Sequence, residues 1–141
     1  MAIRYFSDGI SFQLNDKRKI SQWLKSVALG EGKKISSLCY IFVSDVAILD
    51  INKKYLKHDY FTDIITFDDS DGDIIAGEMY ISIDTVKANA KDYFVEFRNE
   101  LLRVMVHGVL HLCGYNDTSE AEQQQMRNAE TKYLDYWNTN D

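Results

Sequence analysis

Proline is absent from the 141 residues of this chain, and no repeat or stretch rich in serine and glycine interrupts it. Because such segments mark most linkers, nothing in the sequence indicates a domain boundary. No run of 18 apolar residues is present, so the sequence predicts no membrane-spanning helix. The first residues, MAIRYFSDGISF, contain neither a basic leader nor an unbroken apolar stretch. We therefore expect residues 1–141 to form a single soluble, unexported domain.

Cysteine is also scarce, since only Cys39 and Cys113 occur. Two cysteines are too few for a disulfide framework. Both lie in apolar surroundings, SLCYIFV and HLCGY, where a thiol behaves as a small hydrophobic group. The sequence therefore predicts two core thiols.

Positive charge is in short supply, with 16 Lys and Arg against 22 Asp and Glu and a formal net charge of −6. This balance excludes a protein that binds nucleic acid through a broad basic surface, because such binding depends on cations that neutralise phosphates. Any contact with RNA must be local. Basic residues cluster at 17–19, at 33–34 and at Lys53, Lys54 and Lys57, although each cluster taken alone is more simply a solvated surface.

Hydrophobic spacing predicts an α+β fold, in which a small mixed β-sheet packs against helices. The segment 98–113 is apolar on nearly every side, which is typical of a central, buried helix. Ser119 and Glu122 have the spacing of a capping box and predict the start of a final helix. The predicted extended segments and strands cover residues 3–14, 38–43, 64–67 and 74–83, and the predicted helices cover 16–29, 44–55, 84–94, 98–113 and the segment after 119.

The acidic segment DDSDGD separates two of these strands. Its Asp71-Gly72 pair suits a tight hairpin turn. A calcium-binding loop is the alternative, but aligning Gly72 and Glu78 with the sixth and twelfth loop positions puts Phe67 where an oxygen ligand is needed. The sequence favours the hairpin.

The pattern H-x-x-x-H-x-x-G-x-x-D, formed by His107, His111, Gly114 and Asp117, ends the buried helix. Two histidines four residues apart emerge from one helix face with Cβ atoms about 5–6 Å apart. Gly114 can adopt the left-handed conformation after the helix, which turns the chain back and brings the Asp117 carboxylate toward the histidines. Two imidazoles and one carboxylate can hold one zinc ion and leave a fourth position for water. The alternative is a pair of ordinary histidines satisfied within a core helix.

The same spacing occurs in metzincin peptidases, which carry a glutamate general base directly after the first histidine. This chain has Gly108 at that position and so lacks the general base, which argues against peptide hydrolysis. We expect the small residue to give a bulky substrate room near the metal. Cys113 is predicted to point to the far side of the helix, and His58 to lie on the surface.

The segments HGVLHLCGYND at 107–117, TDIITF at 62–67 and GEMYIS at 77–82 together resemble the YbeY family. The resemblance covers roughly residue 52 to the C-terminus and keeps the order and spacing of the motifs. It implies a metal-dependent endoribonuclease with a zincin-like metal site on a helix beside a mixed sheet. It also implies a cytoplasmic location, one Zn²⁺ per chain, and partnership with ribosomal RNA and with the small ribosomal subunit or ribosome-assembly factors.

The chain departs from the family pattern at two positions. Asp117 stands where the third ligand is usually histidine, and its negative charge should make zinc-bound water less acidic. Leu56 stands where the family commonly has a functional arginine, a role that leucine cannot fill. The adjacent Lys57 supplies a point charge in its place, with help from Lys53 and Lys54.

The resemblance therefore implies particular roles for a set of residues. His107, His111 and Lys57 are expected to be catalytic, and His107, His111 and Asp117 are the expected metal ligands. The expected substrate-binding residues are Lys53, Lys54, Lys57, Thr62 and Asp63. Glu78 is either an acceptor behind a ligating imidazole or an exposed strand residue.

The leading hypothesis is a zinc-dependent endoribonuclease specific for single strands, acting in 16S ribosomal RNA 3′-end maturation and ribosome quality control. An alternative is a zinc-stabilised ribosome-assembly factor without nuclease activity, and a metallopeptidase is less favoured. We expect neither DNA nor a membrane to be a partner.

Overall fold

The computed structural model describes residues 2–56 and 62–139, with Leu56 described by its backbone alone. Within these two ranges the chain forms four strands and five α-helices, which confirms the predicted α+β class. The elements are β1 (Ala2–Ser7), α1 (Lys17–Gly30), β2 (Lys34–Val43), α2 (Asp45–Ile51), a π-helical turn (Asn52–Leu56), β3 (Ile64–Asp68), β4 (Ile74–Ser82), α3 (Ile83–Asp92), α4 (Phe97–Leu112) and α5 (Glu120–Thr139).

The sheet is mixed, as the sequence predicts, with the strand order β1-β2-β4-β3. Strand β2 pairs in parallel with both β1 and β4, while β3 pairs antiparallel with β4 at the edge. Parallel neighbours need a crossover, and α1 supplies the one between β1 and β2. The antiparallel β3–β4 pair needs only a short turn, which the hairpin at Asp71 provides.

Helix α4 lies at the centre of the main core, and most of its residues are buried. It packs against α1, α3 and α5 and against strands β3 and β4. The buried Tyr40 hydroxyl on β2 donates a hydrogen bond of 2.9 Å to the Met105 carbonyl of α4, which ties helix to sheet. A smaller cluster around Val43, Ile48 and Ile65 includes the packing contacts of α2.

Gly108 is buried in α4 against the sheet. A Cβ atom at this position would lie 2.4 Å from the Met79 sulfur and 3.1 Å from the Ile64 side chain. The expectation that Gly108 makes room for a bulky substrate is therefore wrong. Its hydrogen atom lets the helix approach β3 and β4, and a larger residue would force the Met79 and Ile64 side chains, or α4 itself, to move.

Two local predictions are confirmed at the level of single hydrogen bonds. In the hairpin, the Asp71 and Ile74 backbones exchange bonds of 2.9 and 3.1 Å around Gly72, whose φ is +60°. In the capping box, the Ser119 N–H donates to Glu122 at 3.0 Å and the Glu122 N–H donates to the Ser119 hydroxyl at 3.1 Å.

Element ends differ from the sequence prediction where caps and pairing intervene. Strand β1 ends at Ser7 instead of extending to residue 14, and β2 begins at Lys34, before its most apolar run. Helix α3 begins at Ile83 because the Ser82 hydroxyl accepts a hydrogen bond from the Thr85 N–H at 3.2 Å. The predicted helix 44–55 ends as an α-helix at Ile51 and continues as the π-helical turn.

The prediction of two core thiols is confirmed only in part, since both cysteines are partly buried and Cys113, but not Cys39, packs against the main core. Cys39 alternates along β2 with the buried Leu38 and Tyr40, so its side chain lies on the opposite face of the sheet. Cys113 follows α4, and desolvation raises its pKa to about 11. Within residues 2–56 and 62–139, no helix is long and apolar enough to cross a membrane.

The C-terminal end of α3 is strained at Phe94. The Phe94 N–H donates to the Lys91 carbonyl and the Val95 N–H to the Ala90 carbonyl, the backbone pattern of a helix C-cap that usually places glycine in the left-handed region. Phe94 adopts this conformation with a φ of +57°. Its side chain is 95% exposed, so packing offsets little of the strain.

We expect Phe94→Gly to raise the free energy of unfolding by about 0.5–1 kcal/mol, because glycine adopts positive φ without a Cβ penalty. Chemical denaturation followed by circular dichroism measures the change. The matched control is Ala88→Gly, at an exposed position within α3, which should lower the free energy of unfolding by about 1 kcal/mol. Equal destabilisation by both glycines would contradict the assignment of strain to Phe94.

Candidate metal centre and cleft

A cleft of about 330 Å³ opens beside the C-terminal half of α4. Helix α4 packs against both α3 and α5, and all three helices contribute side chains to the cleft. The lining residues are Asp63, Asn89, Tyr93, Glu100, Arg103, Val104, His107, Asp117, Gln123, Met126, Arg127 and Glu130.

His107 is oriented by Glu130, which lies on α5. The His107 Nδ1 atom is 2.6 Å from Glu130 Oε2. A carboxylate only accepts hydrogen bonds, so Nδ1 carries the proton and Nε2 holds the free lone pair whenever the imidazole is neutral. Burial lowers the pKa of His107, but the hydrogen bond to Glu130 and the charges of Glu130, Asp63 and Asp117 outweigh it and leave the pKa raised.

Glu130 is only 5% exposed, so its charge requires compensation within the protein. Arg103, one turn before His107 on α4, donates to Glu130 Oε1 at 2.9 Å. Arg103 also reaches the Thr131 hydroxyl at 3.4 Å. Glu130 therefore uses one oxygen for the arginine and the other for the histidine, which fixes His107 relative to α5.

His111 is oriented by the turn that follows α4. Its Nδ1 atom is 2.8 Å from the Tyr115 carbonyl oxygen, an acceptor, so Nδ1 is again the donor and Nε2 is again the free nitrogen. Gly114 makes this turn with a φ of +110°, as the sequence predicts. The His107 and His111 rings lie nearly parallel, with centroids 6.2 Å apart, and His111 is exposed at the surface.

Asp117 lies close to His107 after this turn. Its Oδ2 atom is 3.5 Å from His107 Nε2, and its side chain is 43% exposed. Ligands at about 2.0–2.2 Å from a tetrahedral zinc ion are separated by roughly 3.3–3.5 Å. The Gln123 amide donates to the Asp117 backbone carbonyl at 3.0 Å, which anchors the loop to α5.

The donor set suits zinc in its chemistry, because it consists of imidazole Nε2 atoms with fixed tautomers and a carboxylate. Within the parts of the chain that the structure describes, no three His, Cys, Asp or Glu side chains converge closely enough to hold a metal ion. His107 and Asp117 are the pair nearest to a ligating distance. His111 is the separated member, and bringing its Nε2 atom to the ion requires the ring to move either with the turn that carries the Tyr115 carbonyl or at the loss of that hydrogen bond.

Two further acids concentrate negative charge in the cleft. Burial raises the pKa of Asp63, and the His107 charge and hydrogen bonds to the backbone offset this only in part. Burial also raises the pKa of Glu100 on α4, and the charge of Asp63 adds to this increase while Arg103 and Arg127 oppose it. A cation in the cleft would relieve the repulsion among these groups.

The predicted substrate-binding residues are distributed unevenly around the cleft. Asp63 lines it, whereas the Thr62 hydroxyl donates to the Ile64 carbonyl at 3.5 Å at the start of β3. Lys53 and Lys54 are exposed on the π-helical turn, and neither is among the described side chains that line the cleft. Lys57 and His58 lie outside the described residues.

Glu78 does not stand behind either histidine. It is exposed on β4, opposite Phe67 of β3 and Cys39 of β2, so the alternative of an exposed strand residue is confirmed. Glu130 orients His107 instead. Cys113 lies beside Glu31 and Lys33, away from the cleft lining, as expected.

Sequence reasoning missed Glu130, Arg103 and Glu100. The signals were present but weak. Glu100 and Arg103 interrupt an otherwise apolar helix, and Glu130 follows the buried Ala129 within the apolar stripe of α5. A charged residue at such a position must find a partner inside the molecule, which is a reason to look for one.

Comparison with known proteins agrees with the motif resemblance. The sequence model of the family described as "Endoribonuclease YbeY" matches residues 3–138. A Bacteroides thetaiotaomicron protein named Endoribonuclease YbeY is 45% identical over 134 residues, covering 95% of this chain and 98% of its own. A Flavobacterium psychrophilum protein of the same name is 46% identical over 129 residues and 92% of each chain.

Among solved structures, the solution structure of TM1509 from Thermotoga maritima superposes with a TM-score of 0.67 at 26% identity. The match covers 99% of this chain and 93% of that one. The fold is therefore shared over nearly the whole length of both proteins. The family model spans both the sheet and the helices, and the two relatives match over at least 92% of their own length. This chain therefore belongs to the YbeY endoribonuclease family.

Proposed function

We propose that this protein is a zinc-dependent endoribonuclease that cleaves single-stranded segments of ribosomal RNA. One Zn²⁺ per chain is held by His107, His111 and Asp117. Family membership supports the reaction class, because the relatives are named endoribonucleases. The proposal extends to 16S ribosomal RNA 3′-end maturation, to contact with the small ribosomal subunit or its assembly factors, and to a cytoplasmic location.

The arrangement of the two histidines carries the proposal. Each has its Nδ1 engaged by an acceptor, Glu130 for His107 and the Tyr115 carbonyl for His111. Each therefore offers Nε2, and such partners behind the imidazole are usual for metal-ligating histidines. His111 is exposed, so burial alone does not require the hydrogen bond that orients it. A shift of His111 together with the turn that carries the Tyr115 carbonyl would complete the set of donors and keep Nδ1 engaged.

The chain's own residues divide the remaining work. When bound, zinc supplies a Lewis acid that acidifies water and polarises a phosphate oxygen. Glu130 keeps His107 in the tautomer whose Nε2 can bind a metal, and it makes that nitrogen more basic. Arg103 holds Glu130 in place. Asp117 contributes an anionic ligand, which reduces the positive charge left at the site compared with a third histidine.

Substrate contact is proposed to be local, because the net charge of −6 disfavours broad attraction of RNA. Lys53, Lys54 and Lys57 are proposed to assist near Thr62 and Asp63. Asp63 is an anion, so its role beside a phosphate depends on a nearby cation. These assignments remain predictions, as does the catalytic role of Lys57.

The activity is tested with purified, zinc-loaded protein on a ribosomal RNA fragment that contains single-stranded and duplex regions. We expect cleavage confined to the single strands, loss on addition of a chelator, and a decrease of at least about 100-fold in His111→Ala, since removing a ligand disables the site. Gln124→Ala is the control, because this exposed α5 side chain does not line the cleft.

Circular dichroism must show that His111→Ala remains folded. Tight ribosome binding without cleavage by the wild type would instead support the assembly-factor alternative. Peptide turnover that a chelator abolishes would support a peptidase.

The role of Asp117 is tested by zinc content and affinity. We expect Asp117→Ala to lower zinc affinity, because two histidines and water hold the ion weakly, and Asp117→His to retain it. The pH profile of cleavage by Asp117→His should move to lower pH, since a neutral ligand leaves more of the ionic charge uncompensated. Competition with a chromophoric chelator gives the affinity, and the exposed Asp69→Ala serves as control. Unchanged affinity in Asp117→Ala would remove this residue from the ligand set.

The role of Glu130 is tested by Glu130→Gln. We expect zinc affinity to fall about 10–100-fold, because the group that orients a ligating histidine is weakened. In the metal-free protein, the pKa of His107 should fall, since the amide lacks the charge that raises it. Chelator competition and NMR titration of the histidine ring measure the two effects, with the exposed Glu120→Gln as control.

The sign of the associated stability change follows from the raised pKa of His107. Protonated His107 stabilises the metal-free fold fully at pH values below its ordinary pKa of 6.5. This contribution is lost as the pH rises through the higher pKa that His107 has in the folded protein. Glu130→Gln should weaken that pH dependence. An unaltered His107 titration in Glu130→Gln would contradict the proposed coupling.

A further inference from the structure

We propose that Tyr93 on α3 and Arg127 on α5 form a nucleotide subsite of the cleft, in which Tyr93 stacks against a base and Arg127 pairs with a phosphate of a single-stranded RNA. This inference rests on the proposed function, because it assigns a position to the RNA that the cleft would cleave. It concerns a part of the cleft that no metal ligand occupies.

The α3 side of the cleft presents an aromatic ring. Asn89 and Tyr93 are four residues apart, so they lie on the same face of the helix end, and both line the cleft. Tyr93 is 57% exposed. A large aromatic side chain left open beside a functional cleft offers a π-face on which a base of any sequence can stack.

Phe94 follows Tyr93 directly in the chain, although it is not among the residues that line the cleft. It combines near-complete exposure with a left-handed backbone, although either feature alone is unfavourable for phenylalanine. The left-handed conformation caps α3, and strain of this kind in a residue other than glycine clusters at functional sites. Two adjacent aromatic residues at the end of α3 therefore favour a binding role for this corner over a packing role.

The α5 side of the cleft presents a cation. Gln123, Arg127 and Glu130 follow one another at spacings of four and three residues, which places them on one helix face, and all three line the cleft. Arg127 is exposed, and among the described residues no hydrogen bond or ion pair engages its guanidinium. Arg103, by contrast, is committed to Glu130. Arg127 is thus the cleft arginine that is available to a phosphate.

The charge of the cleft makes this arginine important. Asp63, Glu100, Asp117 and Glu130 surround the space next to His107, so they oppose the entry of a polyanion. A guanidinium can form two parallel hydrogen bonds with a phosphate, which fixes position as well as charge. An RNA strand that passes between α3 and α5 would gain a base contact from one wall and a phosphate contact from the other.

Binding of a fluorescently labelled single-stranded oligoribonucleotide, measured by anisotropy with a chelator present, tests the subsite without cleavage. We expect Tyr93→Ala to weaken binding about 5- to 150-fold, the range for loss of one stacked base. Arg127→Ala should reduce the slope of log affinity against log salt by about 0.7. An oligonucleotide with abasic positions should abolish the effect of Tyr93→Ala and preserve that of Arg127→Ala.

Matched controls are Tyr136→Ala and Arg18→Ala, which remove an exposed tyrosine and an exposed arginine that do not line the cleft. With zinc restored, Tyr93→Ala should raise KM and leave kcat nearly unchanged, as expected for a contact made equally in the ground and transition states. Tyr93→Phe should restore binding, because stacking needs only the ring.

The outcomes separate the subsite from the activity. Binding losses in both cleft variants but not in the controls support the subsite, even if the wild type does not cleave RNA and the proposed function fails. Cleavage by the wild type with cleft variants that bind like their controls overturns the subsite and leaves the proposed function intact. Wild-type protein without affinity for the oligonucleotide in both the metal-free and the zinc-loaded state also overturns the subsite.

Discussion

The burial of α4 is the constraint from which the rest of the site follows. Because the sheet and three other helices surround this helix, each charged or polar group on its inner faces must find a partner inside the molecule. His107 and Arg103 meet this requirement through one shared carboxylate, Glu130. That pairing uses Nδ1 of the histidine and directs the only free nitrogen toward Asp117. A requirement of folding thus produces the orientation that ligand chemistry also needs.

The contacts between the sheet and α4 fix the position of α4, and with it the position at which His107 meets Glu130. Gly108 allows α4 to rest on Met79, and the Tyr40 hydroxyl holds the same region of the helix through a backbone carbonyl. A displacement of α4 would carry His107 away from α5 and break its bond with Glu130. His111 is held differently, since only the carbonyl of the following turn orients its ring. The site therefore combines one rigid histidine with one that adjusts.

Sequence reasoning reaches furthest where the relevant distances lie within one element and its adjoining turn. His107 Nε2 lies 3.5 Å from Asp117 Oδ2, whereas the convergence of His111 with this pair stays a prediction. The histidine pair, Gly114 and Asp117 are related by helix periodicity and a single left-handed turn, so their proximity follows from spacing. Glu130 lies 23 residues from His107, and its partnership depends on which faces of α4 and α5 meet. Gly108 was misread for the same reason, because only the packed structure reveals that its face meets the sheet. The mixed sheet was predictable from strand patterns, whereas its order was not.

The acidic character of the cleft also bears on why a protein of net negative charge can act on RNA. Burial raises the pKa of Asp63 and Glu100, which means that the protein alone does not compensate their charges fully. Arg103 is already paired, so the deficit persists next to His107. We expect a bound cation, such as the proposed zinc, to offset this negative charge and so to allow a phosphate to approach. Recognition of RNA would consequently depend on a few contacts inside the cleft, with little long-range attraction from the rest of the surface.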